Sequence, residues 1–423
     1  MNAGRKKNVF FCISLLFILL TSSVFTRGEA AAVISPLPLR CVAPEWLNRS
    51  VYGSMNAVWR ELMDSRVSRQ TALEALALVA SRLFSGFSVR LNADGIVVVT
   101  PERRYLWTVE LFEPEGAERL PDECRSWLQD DFSALRPLIS ELLVAVPPEA
   151  LQWSSDSFKT QIDSLLSRYF PGWRAALRVQ TDEHGARLEL HFYPKTPLLL
   201  AFSVEMLSQT IPQLLADTMS ERSLEYLSPL TGFPLNWLTF HKKQLLDWLG
   251  AQQLSSKWFE ALNVTAENTI SMKTVAKVTT RFESADYSLR GWVSAHAGND
   301  SRLQAGVHFG RFFSLFTNTP AEVYVEGILG LEHWKLDGRL GLAFSPFKYV
   351  WVGIEGSTED ESKFWYRLRF DIGRSGYYGW LRYSEHSDLE SAIGYRLNRY
   401  ISLELYYESK DKDRFSVRAL GNL

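Results

Sequence analysis

After its first 25 residues the chain has no apolar run of the roughly 20 residues that a membrane-spanning helix needs. If it resides in a membrane after processing, it does so as a β-barrel, the other fold whose backbone satisfies its own hydrogen bonds in hydrocarbon. Cysteine is scarce, three residues in 423, which excludes a disulfide scaffold. No cluster of Cys, His and acidic residues has metal-ligand spacing. An excess of one charge is also missing: 46 Lys and Arg stand against 48 Asp and Glu, so no basic field argues for nucleic acid. No Gly-rich phosphate loop follows a strand, and no Gly-x-Ser-x-Gly elbow occurs. The seven histidines (His184, His191, His241, His296, His308, His333, His386) are scattered, and His184 and His191 bracket a strand instead of forming a helical pair. The expectation is a protein without catalytic residues, metal or cofactor.

What is present begins with an export signal. Arg5, Lys6 and Lys7 precede an apolar run from Val9 to Leu20, and small residues close the segment at Gly28-Glu29-Ala30 or Ala30-Ala31-Ala32. This three-part pattern predicts a cleaved signal peptide over residues 1–32. Removal of the signal leaves Cys41 and Cys124. An oxidising compartment permits a disulfide between them; two buried free thiols are the alternative.

From about Ile270 the hydrophobic period becomes two. Leu336, Leu340, Leu342 and Phe344 alternate with Asp337, Arg339, Gly341 and Ala343. The pattern recurs in Phe364–Ile372, Leu389–Leu397 and Ile401–Tyr407, and Phe415, Val417, Ala419, Gly421 and Leu423 continue it. Successive side chains point to opposite faces, so one face is apolar and the other polar. Turn-forming residues at 297–300, 317–320, 356–360 and 410–413 separate about eleven runs. The apolar faces begin or end in Tyr, Trp or Phe, as interfacial girdles do. These features predict an antiparallel up-and-down barrel of about 10–12 strands over 267–423, embedded in outer-membrane lipid. Its inward face would carry a polar network of Glu326, Asp337, Arg339, Arg367, Arg369, Asp371, Arg382, Arg396 and Glu404, pairing densely enough to leave a narrow or closed lumen. Asp360 with Glu361, and Asp411 with Asp413, read as solvated loop charge.

Residues 33–266 differ. Helices over Ser68–Phe84 and about Ser155–Tyr169 end alike, in Ser81-Arg82-Leu83-Phe84-Ser85-Gly86-Phe87 and Ser167-Arg168-Tyr169-Phe170-Pro171-Gly172-Trp173. Each leads into a strand, a tight turn and a second strand. The offset, roughly 86 residues, suits a small duplicated domain, with repeats at 33–116 and 117–205. Ile211–Leu262 reads as a Trp-rich helical linker within 206–266, with membrane-surface or barrel-plug roles as minority readings.

The helix, aromatic-Gly step, strand, turn and closing strand resemble the second half of a POTRA domain, the likeness resting mostly on Tyr169–Arg174, Leu177–Val179 and Arg187–Leu190. POTRA domains are periplasmic modules of outer-membrane assembly and secretion barrels. The resemblance implies an α+β chain of periplasmic α/β repeats before a C-terminal barrel, with a periplasmic protein or envelope partner. It also implies that barrel-assembly machinery reads the C-terminal strand. This barrel is shorter than the family's usual one, and the family's Arg-Gly-aromatic signature finds only Arg290-Gly291-Trp292, in an early strand. The expected function is a non-enzymatic assembly or structural protein. Two alternatives stay open: a pore or translocator with a helical plug, and a lipid hydrolase at the barrel rim.

Overall fold

The computed structural model describes residues 36–423 except 66, 182–184, 299–301, 317–318, 359–363, 373–375 and 410–413. The signal segment, His184 and the loop carboxylates Asp360, Glu361, Asp411 and Asp413 lie outside the described residues. By packing, the chain divides into two units. One comprises residues up to 110 with 137–162 and 178–189; the other comprises 111–136, 163–177 and 190–423.

Three small sheets share one strand order. β1 (Leu39–Cys41), β2 (Phe87–Leu91) and β3 (Val97–Pro101) run in order β1-β3-β2. β4 (Trp107–Phe112), β5 (Trp173–Thr181) and β6 (Ala186–Pro194) run β4-β6-β5, and β7 (Ala201–Leu207), β8 (Val264–Ser271) and β9 (Val275–Ser284) run β7-β9-β8. In the first and third sheets the last strand lies in the middle, parallel to the first and antiparallel to the second. Two long helices separate the first strand from the second each time: Glu45–Asp64 and Arg69–Leu83, Asp122–Leu142 and Ser155–Tyr169, Gln213–Leu227 and Lys242–Leu254. The chain thus repeats a β-α-α-β-β unit three times.

Local chemistry explains the recurring helix-to-strand step. Ser68 caps the 69–83 helix, its Oγ accepting from Thr71 N at 3.2 Å, and Ala72, Leu73, Leu76 and Ala80 form the buried stripe. The chain then turns at Gly86, φ +85°, and at the matching Gly172, φ +88°. Only glycine adopts this left-handed exit without penalty. A Cβ on Gly86 would also meet Pro147 at 2.6 Å, and one on Gly172 would meet Pro234 at 2.6 Å. In the third repeat Asn263, φ +48°, turns the chain into β8.

The first unit packs around the 45–64 helix, where Leu47, Val51, Met55 and Trp59 are buried. Trp46 packs at a tilt against Phe158, ring centres 5.3 Å apart, and donates to Leu142 O at 2.9 Å. The second unit contains an aromatic cluster of Phe132, Phe170, Trp173, Phe192, Phe233 and Trp237. At its centre the buried Asp131 carboxylate accepts from Trp237 Nε1 at 2.8 Å and from His241 Nε2 at 3.0 Å.

The third repeat corrects two expectations. Residues 206–266 are not a linker: their helices form the layer that covers β7–β9. Nor does the barrel begin at 267. Ile270, Ala276, Val278 and Phe282 are buried, with Met219 and Phe259 packed around Phe282. Alternation of period two looks the same whether helices or lipid cover the apolar face, which is why β8 and β9 read as barrel strands. Likewise, the strands at 107–112 and 201–207, which begin inside the repeats expected at 33–116 and 117–205, open the next sheet.

Ten strands close the barrel, each antiparallel to its sequence neighbour: β10 (Tyr287–Gly298), β11 (Leu303–Phe316), β12 (Thr319–Gly330), β13 (Lys335–Phe347), β14 (Val350–Ser357), β15 (Phe364–Asp371), β16 (Tyr377–Ser384), β17 (Leu389–Arg396), β18 (Ile401–Glu408) and β19 (Arg414–Asn422). β10 pairs β19 from Trp292–Asn422 to Gly298–Ser416, completing the ring. Outside, the exposed residues are apolar: Val307 is 57% exposed, Leu340 61%, Ile393 65% and Leu405 69%. An aliphatic belt so open to its surroundings matches hydrocarbon, not water. Exposed Trp334, Tyr366, Tyr383 and Phe415 ring one end, and Phe347, Tyr349, Tyr377 and Tyr395 ring the other, as aromatic girdles at the two lipid interfaces.

Candidate functional site

The barrel lumen gathers the polar residues that alternate with this belt. Its centre is Glu355 on β14, a residue the sequence reading passed over. Its Oε1 lies 2.7 Å from Arg382 Nη2 and 4.0 Å from Arg339 Nη1; its Oε2 accepts from Arg367 Nη1 at 2.9 Å and from Tyr324 OH at 2.8 Å. Arg367 also reaches Glu326 at 3.1 Å, and Arg382 reaches Glu390 at 2.8 Å while lying 4.3 Å from the Trp365 ring centre. Asp337 holds the Arg339 Nε at 2.5 Å and accepts from Ser357. Charges withdrawn from water this far persist only when each is paired.

The structure therefore brings Glu326, Asp337, Arg339, Arg367 and Arg382 into one network. It places Asp371 and Arg396 in a separate pair, 2.5 Å apart, and pairs Glu404 with Arg418. Arg369 stands apart, its guanidinium 5.3 Å from the Trp351 ring centre. Tyr324, Glu355 and Arg418 were missed. The signal for Glu355 was available, because Val352 and Ile354 flank the inward positions Gly353 and Glu355 in strict alternation.

The network narrows the lumen without closing it. A hollow of about 1080 Å³ is lined by residues 207–213 near one mouth and by Glu332, His333 and Lys335 near the other. Large inward side chains lie flat on inward glycines of the neighbouring strand: Trp292 on Gly306, Tyr324 on Gly341 and Tyr378 on Gly394. Hugging the wall, they leave the axis free. Of the two expectations, a narrow or a closed lumen, the narrow one describes the hollow; the count of inward charges left out the inward glycines.

The mouth nearer β9 is lined by a backbone loop, not a helical plug. Thr210 O accepts from Leu289 N at 2.6 Å, and Gln213 N donates to Leu423 O at 2.7 Å. Glu283 clamps the loop, accepting from Gln209 N at 3.1 Å and from the Thr210 hydroxyl at 2.8 Å. Leu423 N donates to Gly291 O at 2.9 Å, so the β10–β19 seam ends against this loop.

Elsewhere, the half-buried Cys41 and the buried Cys124 are free thiols, and burial pushes both up to about 12, which favours the protonated form. Inside the barrel Ser416 Oγ lies 3.4 Å from His296 Nδ1, longer than the contact that activates a hydroxyl nucleophile. No group of three metal-ligating side chains occurs among the described residues.

An apolar-belted, girdled, closed meander preceded by β-α-α-β-β repeats defines the class: an outer-membrane β-barrel protein with POTRA-like soluble modules. No protein family matches the sequence, and no curated protein matches it. Among solved structures, the KdgM porin in complex with disordered oligogalacturonate is similar over 32% of this chain and 98% of its own, at 10% identity and TM-score 0.23. BamA from Haemophilus ducreyi lacking POTRA domains 1–3 is similar over 76% of this chain and 57% of its own, at 10% identity and TM-score 0.16. CdiB from Acinetobacter baumannii covers 86% and 67%, at 12% identity and TM-score 0.17. Likeness at this level carries no argument about activity; the class rests on the chain's own fold.

Proposed function

We propose that this chain is a non-enzymatic outer-membrane protein whose α/β modules face the periplasm and bind a protein or other envelope partner, in an assembly or structural role. The modules would span 39–101, 107–194 and 201–284, ahead of a barrel over 287–422. The supporting observation is that the first and third sheets keep edge strands: β2 and β8 each pair on one side only. An open edge in an otherwise covered sheet is a template for an added strand. The C-terminal strand β19 would serve barrel-assembly machinery during insertion.

The test is site-specific photo-crosslinking in a Gram-negative host, from Arg90 on β2 and Glu267 on β8, with Leu405 on the lipid face as control. One discrete protein adduct from an edge position, absent from Leu405, supports the reading. Adducts absent from both edges, or a chain recovered in the soluble fraction without a heat-dependent gel shift, would overturn it.

The hollow inside the barrel favours a second reading, a pore. Steady single-channel steps in planar bilayers, changed in size by shortening the 208–212 loop, are its signature.

A further inference from the structure

The lumen holds two arginines whose charge the internal network does not consume. Arg290 on β10 approaches Glu322 only to 3.9 Å, and its Nε is shielded from solvent with no hydrogen-bond partner. Arg369 on β15 makes no ion pair with any described carboxylate, and its guanidinium lies 5.3 Å from the centre of the Trp351 ring. Among the described residues the carboxylates that act most strongly on Arg369 are Glu322 and Asp371, and both are engaged. Glu322 accepts from His308 Nε2 at 2.9 Å, and Asp371 holds Arg396 at 2.5 Å. Arg290 and Arg369 also feel one another's charge and line the same hollow.

Two guanidinium groups that line one hollow, with donors to spare, are a receptor for an oxyanion. Each planar fork matches a pair of oxygens on a carboxylate or phosphate. We propose that the lumen wall at Arg290 and Arg369 binds a small soluble oxyanion, a phosphate- or carboxylate-bearing solute, with the Trp351 face beside it as an apolar platform. The barrel wall separates this point from lipid, so the ligand enters from water and not from a headgroup. At about 1080 Å³ the hollow admits a solute of drug-like size and larger.

Glu322 makes the proposal specific. It is the carboxylate nearest to neutralising Arg290, and it competes with any bound anion. Removing its charge without changing its shape strengthens anion binding, an effect that a purely structural role for these residues would not produce.

The test is isothermal titration calorimetry on the folded full chain in a nonionic maltoside detergent with chloride as background salt, using inorganic phosphate and glucuronate in turn. One saturable site for at least one probe is expected, weakened tenfold or more by Arg290→Gln and by Arg369→Gln, and tightened several-fold by Glu322→Gln. Folding of each variant is checked by its heat-dependent gel shift. If Arg369→Gln does not fold, Arg369→Lys, which keeps the charge and loses the fork, decides the matter through the same loss of affinity. The absence of saturable binding with either probe, binding by folded arginine variants equal to that of the natural chain, or no tightening by Glu322→Gln overturns the proposal.

Discussion

Arg382 and Glu355 meet inside the barrel with Nη2 and Oε1 2.7 Å apart, their side chains 1% and 0% exposed. Neither faces bulk water, so each depends on the other for the solvation it gave up.

Glu355→Ala leaves Arg339, Arg367 and Arg382 without their common acceptor. Breaking a buried pair from one side costs about 3–5 kcal/mol. The variant should unfold at a clearly lower temperature, read as the point where the heat-modifiable gel band is lost. Removing both charges as Glu355→Met with Arg382→Met should recover part of that loss, because Arg367 and Arg339 keep Glu326 and Asp337. A double variant weaker than either single one would contradict this account.

Leu405 points outward from the middle of β18 and is 69% exposed. Arginine there meets hydrocarbon, at a cost of about 2–4 kcal/mol. Urea unfolding of the barrel reconstituted in liposomes should show that loss for Leu405→Arg. A change within a few tenths would argue that this face does not meet lipid.

Gly341 underlies the Tyr324 ring, and a β-carbon there would fall within it. Gly341→Val must lift the ring and take its hydroxyl away from Glu355; overpacking of this kind costs about 1–3 kcal/mol. Adding Tyr324→Ala removes the clash, so the pair should be more stable than Gly341→Val alone in the same urea assay.

His241 supplies a pH dependence. Burial opposes its charge, but its hydrogen bonds to Asp131 and Gln244 and the Asp131 charge outweigh burial and hold its pKa above the ordinary value of 6.5. A group raised on folding stabilises fully below its unfolded pKa, and the contribution fades as pH rises through the folded pKa. The soluble modules of the full chain should therefore lose stability as pH climbs above about 6.5, followed by tryptophan fluorescence in urea. His241→Gln should flatten that slope. A slope unchanged by the substitution would mean that another group sets it.

The barrel was legible because its residues repeat one local rule. Leu403 and Leu405 out, Ser402 and Glu404 in: each position declares its face by parity. The helix ending at Phe84 and the turn at Gly86 were equally readable, since caps and left-handed glycines act within a few residues. The boundary at Tyr287 was not, because Val278 and Phe282 alternate as a lipid-facing strand does while being covered by helices. Glu355 was overlooked although its parity was clear, since alternation ranks all inward carboxylates alike. Its central place comes from strands β12, β13, β15 and β16 delivering Tyr324, Arg339, Arg367 and Arg382 to one point.

By itself, then, the order of residues determined which faces are oily, where helices start and stop, and that the charged stripe of the last third must be enclosed. Those properties follow from side-chain periodicity and backbone sterics over short spans. Only the closed ring decided which charges pair, that Arg290 and Arg369 are left over, and that the lumen stays hollow. Such contacts join residues as far apart in the chain as Trp292 and Asn422, and they depend on register around the whole circumference, which no local pattern encodes.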